Sequence, residues 1–272
     1  MSALMAESPE LLMQAAAELA RLAGGVAMRH FRTGVTVEQK SDGSPVTVAD
    51  REAERVARDW LQARFPADGV LGEEFGLERG YATRRWVMDP IDGTKSFVRG
   101  VPLWGTLIAC CEGQTVLAGA AYFPGTEELI CAAPGCGTWY NGERAHVSGE
   151  GELSAATLLV TDERFPTRPA RREAWRELAA SAGVVRTWGD CYGYLLVATG
   201  RAEAMVDDLM NPWDAAAVQP IIEEAGGVFT SWHGTATAFA GSAVATNALL
   251  ATTVRRALAP GEFDPVLEID RG

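Results

Sequence analysis

Asp89-Pro90-Ile91-Asp92-Gly93-Thr94 places two carboxylates, a glycine and a hydroxyl directly after an apolar stretch ending at Met88. Carboxylates at a strand end can hold hard cations, while the N–H groups and hydroxyl that follow can face an anion. Taken alone, the run fits an acidic β-turn with an Asx cap equally well. Two other segments add to it: Gly72-Glu73-Glu74 also follows a short apolar stretch, and Trp213-Asp214 opens a helix after a turn. Asp214 by itself reads as an N-cap before Ala215-Ala216-Ala217. Jointly, Glu73, Asp89, Asp92 and Asp214 supply oxygen ligands with almost no His or Cys nearby, which selects magnesium, manganese or calcium over zinc. In Pro45-Val46-Thr47-Val48-Ala49-Asp50, Thr47 and Asp50 have the spacing of a capping box. An Asp at that point can also accept a proton through a neighbouring hydroxyl, and Thr94 is that hydroxyl if the segments converge.

The elements that must bring these residues together can be read from periodicity. Leu12, Ala16, Leu19, Ala20 and Ala23 share a helical face, predicting a helix over 10–30, and Ala49, Ala53, Val56, Trp60 and Leu61 predict a second over 47–65. Between them, 34–45 reads as a mobile loop or hairpin. Short apolar strands follow at 69–71, 85–88, 106–110 and 116–123, with a hairpin turn signalled by Asn141-Gly142. With no long helices among them, the first half is expected to be α+β with a largely antiparallel sheet. Beyond Gly149, strands at 156–161, 184–188, 204–207, 227–231 and 243–245 alternate with helices at 171–182, 192–199, 214–225 and 247–258, an α/β pattern. The Ser, Gly and Glu residues over 147–153 mark a boundary between halves 1–148 and 149–272.

Composition narrows the setting. The chain has 272 residues, 47% hydrophobic and 22% charged, as expected of a globular protein with a sizeable core. A net charge of −12 disfavours nucleic acid and anionic membranes as partners, and points to metal cations, cationic ligands or small anions recruited through bound metal. Five cysteines, Cys110, Cys111, Cys131, Cys136 and Cys191, show no Cys-x-x-Cys spacing and read as reduced thiols in a cytoplasmic protein. Neither a secretory leader nor an uninterrupted apolar span of about 18 residues is apparent. His30, His146 and His233, together with Trp60, Trp86 and Trp139, read as surface or packing residues, and the acidic run at 268–270 as a solvated end.

The motif set resembles the inositol monophosphatase superfamily of metal-dependent phosphatases. The resemblance runs through Pro45 to Asp50, Gly72-Glu73-Glu74, Trp86 to Thr94, Tyr140-Asn141-Gly142, Trp213-Asp214 and Glu223-Glu224-Ala225-Gly226-Gly227. It implies a layered αβαβα sandwich, usually dimeric, with the cleft between the halves and a small phosphorylated metabolite as substrate. It also implies magnesium held by Glu73, Asp89 and the Ile91 carbonyl, a second ion held by Asp89, Asp92 and Asp214, and a third, weaker one assisted by Glu73, with manganese able to substitute. Gly93 and Thr94 would contact phosphate, and Asp50 and Thr94 would orient and deprotonate the attacking water.

Other readings account for less. In a phospho-aspartyl phosphatase the two acids stand two apart on one strand face, whereas Asp89 and Asp92 are three apart with Pro90 between them. A Walker loop is absent, and Tyr140 occupies the third glycine position of a dinucleotide fingerprint. A non-catalytic metal-binding regulatory module would be signalled by a lost ligand, and every matched ligand is present. The segment Thr187-Trp188-Gly189-Asp190-Cys191-Tyr192-Gly193-Tyr194 looks like the histidinol-phosphatase branch, as do Ser41-Asp42-Gly43-Ser44-Pro45 and Arg99-Gly100-Val101-Pro102. Histidinol phosphate carries an ammonium and an imidazole, so Asp190 and Asp207 are expected to pair with cationic nitrogen and Tyr192 to pack on the ring. Asp190 as a plain cap of the next helix is the competing reading. Inositol, sugar and nucleotide phosphates are the alternative substrates.

Overall fold

The computed structural model describes residues 7–41, 43–165 and 168–259; Asp42 and the run 268–270 lie outside them. Helix α1 (Pro9–Met28) starts where the Ser8 hydroxyl accepts the Leu11 N–H and Pro9 occupies the first turn, which needs no donor. By length and composition α1 could span a bilayer, yet ten of its residues between Leu12 and Ala27 are buried, as a core helix requires. The 34–45 stretch folds as a hairpin of β1 (Val37–Gln39) against β2 (Pro45–Thr47), and Thr47 leads directly into α2 (Val48–Arg64).

Strand β3 (Gly69–Gly72) turns back on β4 (Gly76–Glu78) and lies parallel to β5 (Arg84–Asp92). After the short α3 (Thr94–Phe97), strands β6 (Gly105–Glu112), β7 (Thr115–Phe123), β8 (Glu128–Ala133), β9 (Gly137–Tyr140) and β10 (Glu143–Arg144) follow in an antiparallel meander. Together they make one eight-stranded sheet, ordered β10-β9-β8-β7-β6-β5-β3-β4. Asn141 and Gly142 both have positive φ, as the two-residue β9–β10 turn demands. Strand β5 runs past the expected end at Met88. Its pairing with β6 shifts between Asp89 and Asp92, where Pro90 has no N–H for the ladder, so the two acids flank a bulge rather than a turn.

The second half contains β11 (Thr157–Val160), α4 (Pro169–Ala179), β12 (Val184–Arg186), α5 (Cys191–Ala198), β13 (Ala204–Asp207), α6 (Pro212–Ala215), α7 (Val218–Glu224), β14 (Val228–Thr230), β15 (Ala243–Thr246) and α8 (Ala251–Leu258). Its sheet, β12-β11-β13-β15-β14, is parallel at β12, β11 and β13 and antiparallel beyond, because a loop rather than a helix joins β14 to β15. The single helix expected over 214–225 is two: Pro220 cannot donate to the Ala216 carbonyl, and the chain breaks there. Helix α8 starts at Ala251, later than expected, because the Asn247 side chain accepts the Leu250 N–H in a preceding turn. Buried Arg255 ties α8 to the sheet through Thr230, Thr246 and the Val228 and Val244 carbonyls.

Alternation along the strands divides the interior into three cores. Trp86, Met88, Ile108 and Cys110 face α1 and α2. Val87, Leu107, Ala109 and Phe123 face a middle layer that includes α5 and α7, whose far side packs on Leu159 and Met205 of the second sheet. Leu158, Val160 and Val206 face α4 and α8. The result is the layered αβαβα sandwich.

Candidate active site

A cleft of about 240 Å³ opens where β3, β5 and the starts of α3, α5 and α6 converge. Glu73 stands in the turn after β3, held from beneath by Glu54 of α2. The Glu54 carboxylate is fully buried and accepts the Glu74 N–H at 2.7 Å and the Phe75 N–H at 3.2 Å. It lies so close under the strand that a Cβ on Gly72 would come within 2.1 Å of it. Above the turn, the Lys40 ammonium donates to Glu73 at 2.7 Å and to Glu74 at 2.6 Å. Burial pushes the Glu74 carboxyl up to about 7 against the pull of Lys40.

Asp89, Asp92 and Asp214 each offer an oxygen within 4.8 Å of the others. Local bonds orient them: Asp89 accepts the Ile91 N–H at 2.9 Å, Asp92 accepts the Cys191 N–H, and Asp214 accepts the Asn211 N–H at 2.7 Å. Burial and mutual repulsion push Asp89 and Asp92 far above the usual carboxylate range; Asp214, chiefly through burial, reaches about 7. None of the three forms a salt bridge among the described residues. A crowded, oxygen-only set whose charge is unmatched by protein cations suits a hard divalent ion, the chemistry expected from the motifs.

Beside this cluster, Asp50 fills the third position of α2. Its Oδ2 accepts both the N–H and the hydroxyl of Thr47, at 2.8 and 2.7 Å, while Oδ1 lies 3.4 Å from the Thr94 hydroxyl. That hydroxyl also donates to the Ile91 carbonyl at 2.9 Å. Capping and chemistry therefore coexist in one carboxylate. Burial raises the Asp50 pKa although the Thr47 bonds oppose it. Gly93, at φ 88, turns the chain between Asp92 and Thr94, and the space a Cβ would need there is taken by the Asp190 carboxylate, 3.0 Å away. Asp190 holds the N-cap position of α5 at φ 52, ψ −154 and makes no capping bond with its side chain. Burial pushes its carboxyl up to about 6, eased by the charge of Lys95.

A model of the inositol monophosphatase family matches residues 8–261. The chain belongs to the inositol monophosphatase family. It is 42% identical over 254 residues to a histidinol-phosphatase of Chlorobaculum parvum, covering 93% of this chain and 98% of that protein. It is 42% identical over 219 residues to a histidinol-phosphatase of Mycobacterium tuberculosis, covering 79% and 84%. An inositol monophosphatase structure from Zymomonas mobilis superposes with a TM-score of 0.83 at 31% identity, covering 93% of this chain and 99% of that one. The protein is thus a metal-dependent phosphatase.

Within this inositol monophosphatase cleft the structure brings together Glu73, Asp89, Ile91, Asp92, Gly93, Thr94, Asp190, Asp207 and Asp214, with Asp50 reaching in through Thr94. Asp207 is 7% exposed, and its oxygens already accept the Tyr194 hydroxyl at 2.8 Å and the Thr161 N–H at 3.3 Å. Tyr192 is a correction. Its ring packs edge-on against Phe123, and its hydroxyl donates to Glu128 at 3.0 Å, outside the cleft lining. Two residues past Asp190, the turn of α5 points that side chain toward the first sheet instead of the substrate. Sequence reading missed Lys40, Glu54 and Asn211. Of these, only Asn211 had a local signal, its spacing of three from Asp214.

Proposed function

We propose that this phosphatase hydrolyses histidinol phosphate by direct attack of water, with magnesium at the carboxylate cluster. The observation that carries the substrate choice is Asp190, a half-buried carboxylate pressed against Gly93 and unused by its own helix. A leaving group bearing an ammonium and an imidazole gains a charge-assisted hydrogen bond there that a neutral polyol lacks. The names of the two bacterial histidinol-phosphatases, each 42% identical to this chain, support the same choice.

In this reading Glu73, Asp89 and the Ile91 carbonyl hold one magnesium ion, Asp89, Asp92 and Asp214 a second, and Glu73 assists a third, with manganese able to substitute. Bound magnesium lowers the pKa of its water and offsets the charge of the ester and the leaving alkoxide. The chain's own residues do the rest. Gly93 and Thr94 position the phosphate, and the Thr94 hydroxyl passes the proton of the attacking water to Asp50, whose orientation is held by Thr47. Asp190 takes the cationic nitrogen, and Asp207, fixed by Tyr194 and Thr161, adds negative potential behind it.

Phosphate release should be compared across histidinol phosphate, inositol phosphate, fructose bisphosphate and phosphoadenosine phosphate. Histidinol phosphate is expected to show the highest kcat/KM, and Asp190→Asn to lower it there far more than on inositol phosphate. An intrinsic preference for inositol phosphate, or equal losses on both, overturns the assignment. We also place the enzyme in the cytoplasm, in keeping with its five free thiols, and propose a homodimer, for which light scattering should give twice the 29.0 kDa chain mass.

A further inference from the structure

Six carboxylates, Glu73, Asp89, Asp92, Asp190, Asp207 and Asp214, line the cleft, and a single cationic side chain, Lys95, lines it with them among the described residues. A doubly charged phosphate entering this space meets a strongly repulsive field. Magnesium at the ligating set offsets only part of it, because Asp190 and Asp207 stand outside that set. Asp190 is the sharper problem: its carboxylate lies against Gly93, beside the place where phosphate would sit. At ångström separations like charges repel by several kcal/mol unless a counter-charge intervenes.

Lys95 is placed to be that counter-charge. It follows Thr94 directly in α3, is exposed at the cleft wall, and its ammonium makes no hydrogen bond or salt bridge with any described residue. Its charge eases the raised carboxyl of Asp190, and it acts weakly on Asp162 beside the Arg164 bond, which puts the ammonium within electrostatic reach of the Asp190 side of the cleft. It is not spent on the metal ligands, unlike Lys40, which is paired with Glu73 and Glu74.

We propose that the Lys95 ammonium binds an outer oxygen of the substrate phosphate held at Gly93 and Thr94, and so admits a dianion into an otherwise anionic cleft. The proposal rests on the phosphate subsite of the reading above and is independent of its leaving group. Lys95 donates to an oxygen that stays on phosphorus throughout hydrolysis, so it contributes equally to ground and transition states and acts on KM more than on kcat. As a mobile point charge near the rim, it also makes capture of the anion sensitive to salt.

The test uses the magnesium-loaded full chain, with Lys95→Met, Lys95→Gln and Lys95→Arg. Calorimetry with inorganic phosphate reads the subsite without turnover, and kinetics with histidinol phosphate and glycerol 2-phosphate, each at low and high ionic strength, read it during catalysis. Loss of the charge is expected to weaken phosphate binding about tenfold and to raise KM for both esters by a similar factor. The kcat should stay within a factor of about three, the salt dependence should flatten, and Lys95→Arg should restore most of the affinity. Unchanged phosphate affinity in both neutral variants, or a loss confined to kcat, overturns the proposal. So does a loss confined to histidinol phosphate, which would give Lys95 to Asp190 instead. Should the wild type prefer a neutral leaving group, the histidinol reading fails while the phosphate calorimetry still decides this one.

Discussion

Asp50 and Asp214 occupy the same local device. Each is the third residue of a helix that begins with a capping box, and the Oδ2 of each accepts the capping residue's backbone N–H. That bond fixes the carboxylate, so a residue needed for chemistry is oriented by the helix it starts. Asp214→Asn keeps a carbonyl oxygen for the Asn211 N–H, so the fold should persist while magnesium affinity drops; metal titration reads this directly. Thr94→Ala should instead leave metal affinity near wild type and lower kcat by about 100-fold, measured at saturating metal. Protonation offers a further check. Asp190 and Asp207 are raised to about 6 and Asp214 to about 7 in the fold, so between about pH 4 and 7 the folded state holds more protons than the unfolded chain. Stability of the chelated protein should therefore fall as pH rises through that window, and magnesium should remove most of the slope, as a Tm series would show. These motif acids were legible in the sequence because each stands within a few residues of a glycine or proline that shapes its turn. Lys40 and Glu54 were not, since they reach Glu73 and its turn across 33 and 20 residues, separations that only the folded chain closes.

Periodicity located the long helices and most of the strands but not β4, β8 or the short α3, and it could not supply how elements meet. The β5 bulge depends on the ladder with β6, and the divided α6–α7 helix depends on one missing N–H within an otherwise helical pattern. The hairpin β1–β2 was open between two readings, because its exposed strand β1 has no buried face to set a register. The contact between β3 and α2 is the case with consequences. Gly72 leaves room for the Glu54 carboxylate, which Arg58 and two backbone N–H groups hold in place. Gly72→Ala should therefore cost about 1–3 kcal/mol of stability, since that carboxylate cannot swing aside. It should also weaken metal binding by displacing Glu73; thermal unfolding and metal titration together would register both.

At the scale of the molecule, the middle layer belongs to both halves. Residues 1–148 carry the whole eight-stranded sheet, but the face formed by Val87, Leu107, Ala109 and Phe123 is covered by α5 and α7, which come from later in the chain. Chain composition marked a division near residue 149; a core shared across it leaves no pattern in either segment alone. A fragment of residues 1–148 should therefore expose that face and show dye binding with weak near-ultraviolet dichroism, rather than a cooperative melt. Adding the 149–272 fragment in trans should reduce the dye signal.

The backbone of Asp190, at φ 52 and ψ −154, sits in a region that glycine enters freely and other residues enter at a cost of about 1–3 kcal/mol. No capping bond offsets that cost, and the carboxylate is half-buried besides. Asp190→Gly should then yield a hardier enzyme with a higher Tm and a broader taste for leaving groups. Durability and selectivity oppose each other at this one position, so a thermostabilising screen run without a substrate panel would enrich generalists.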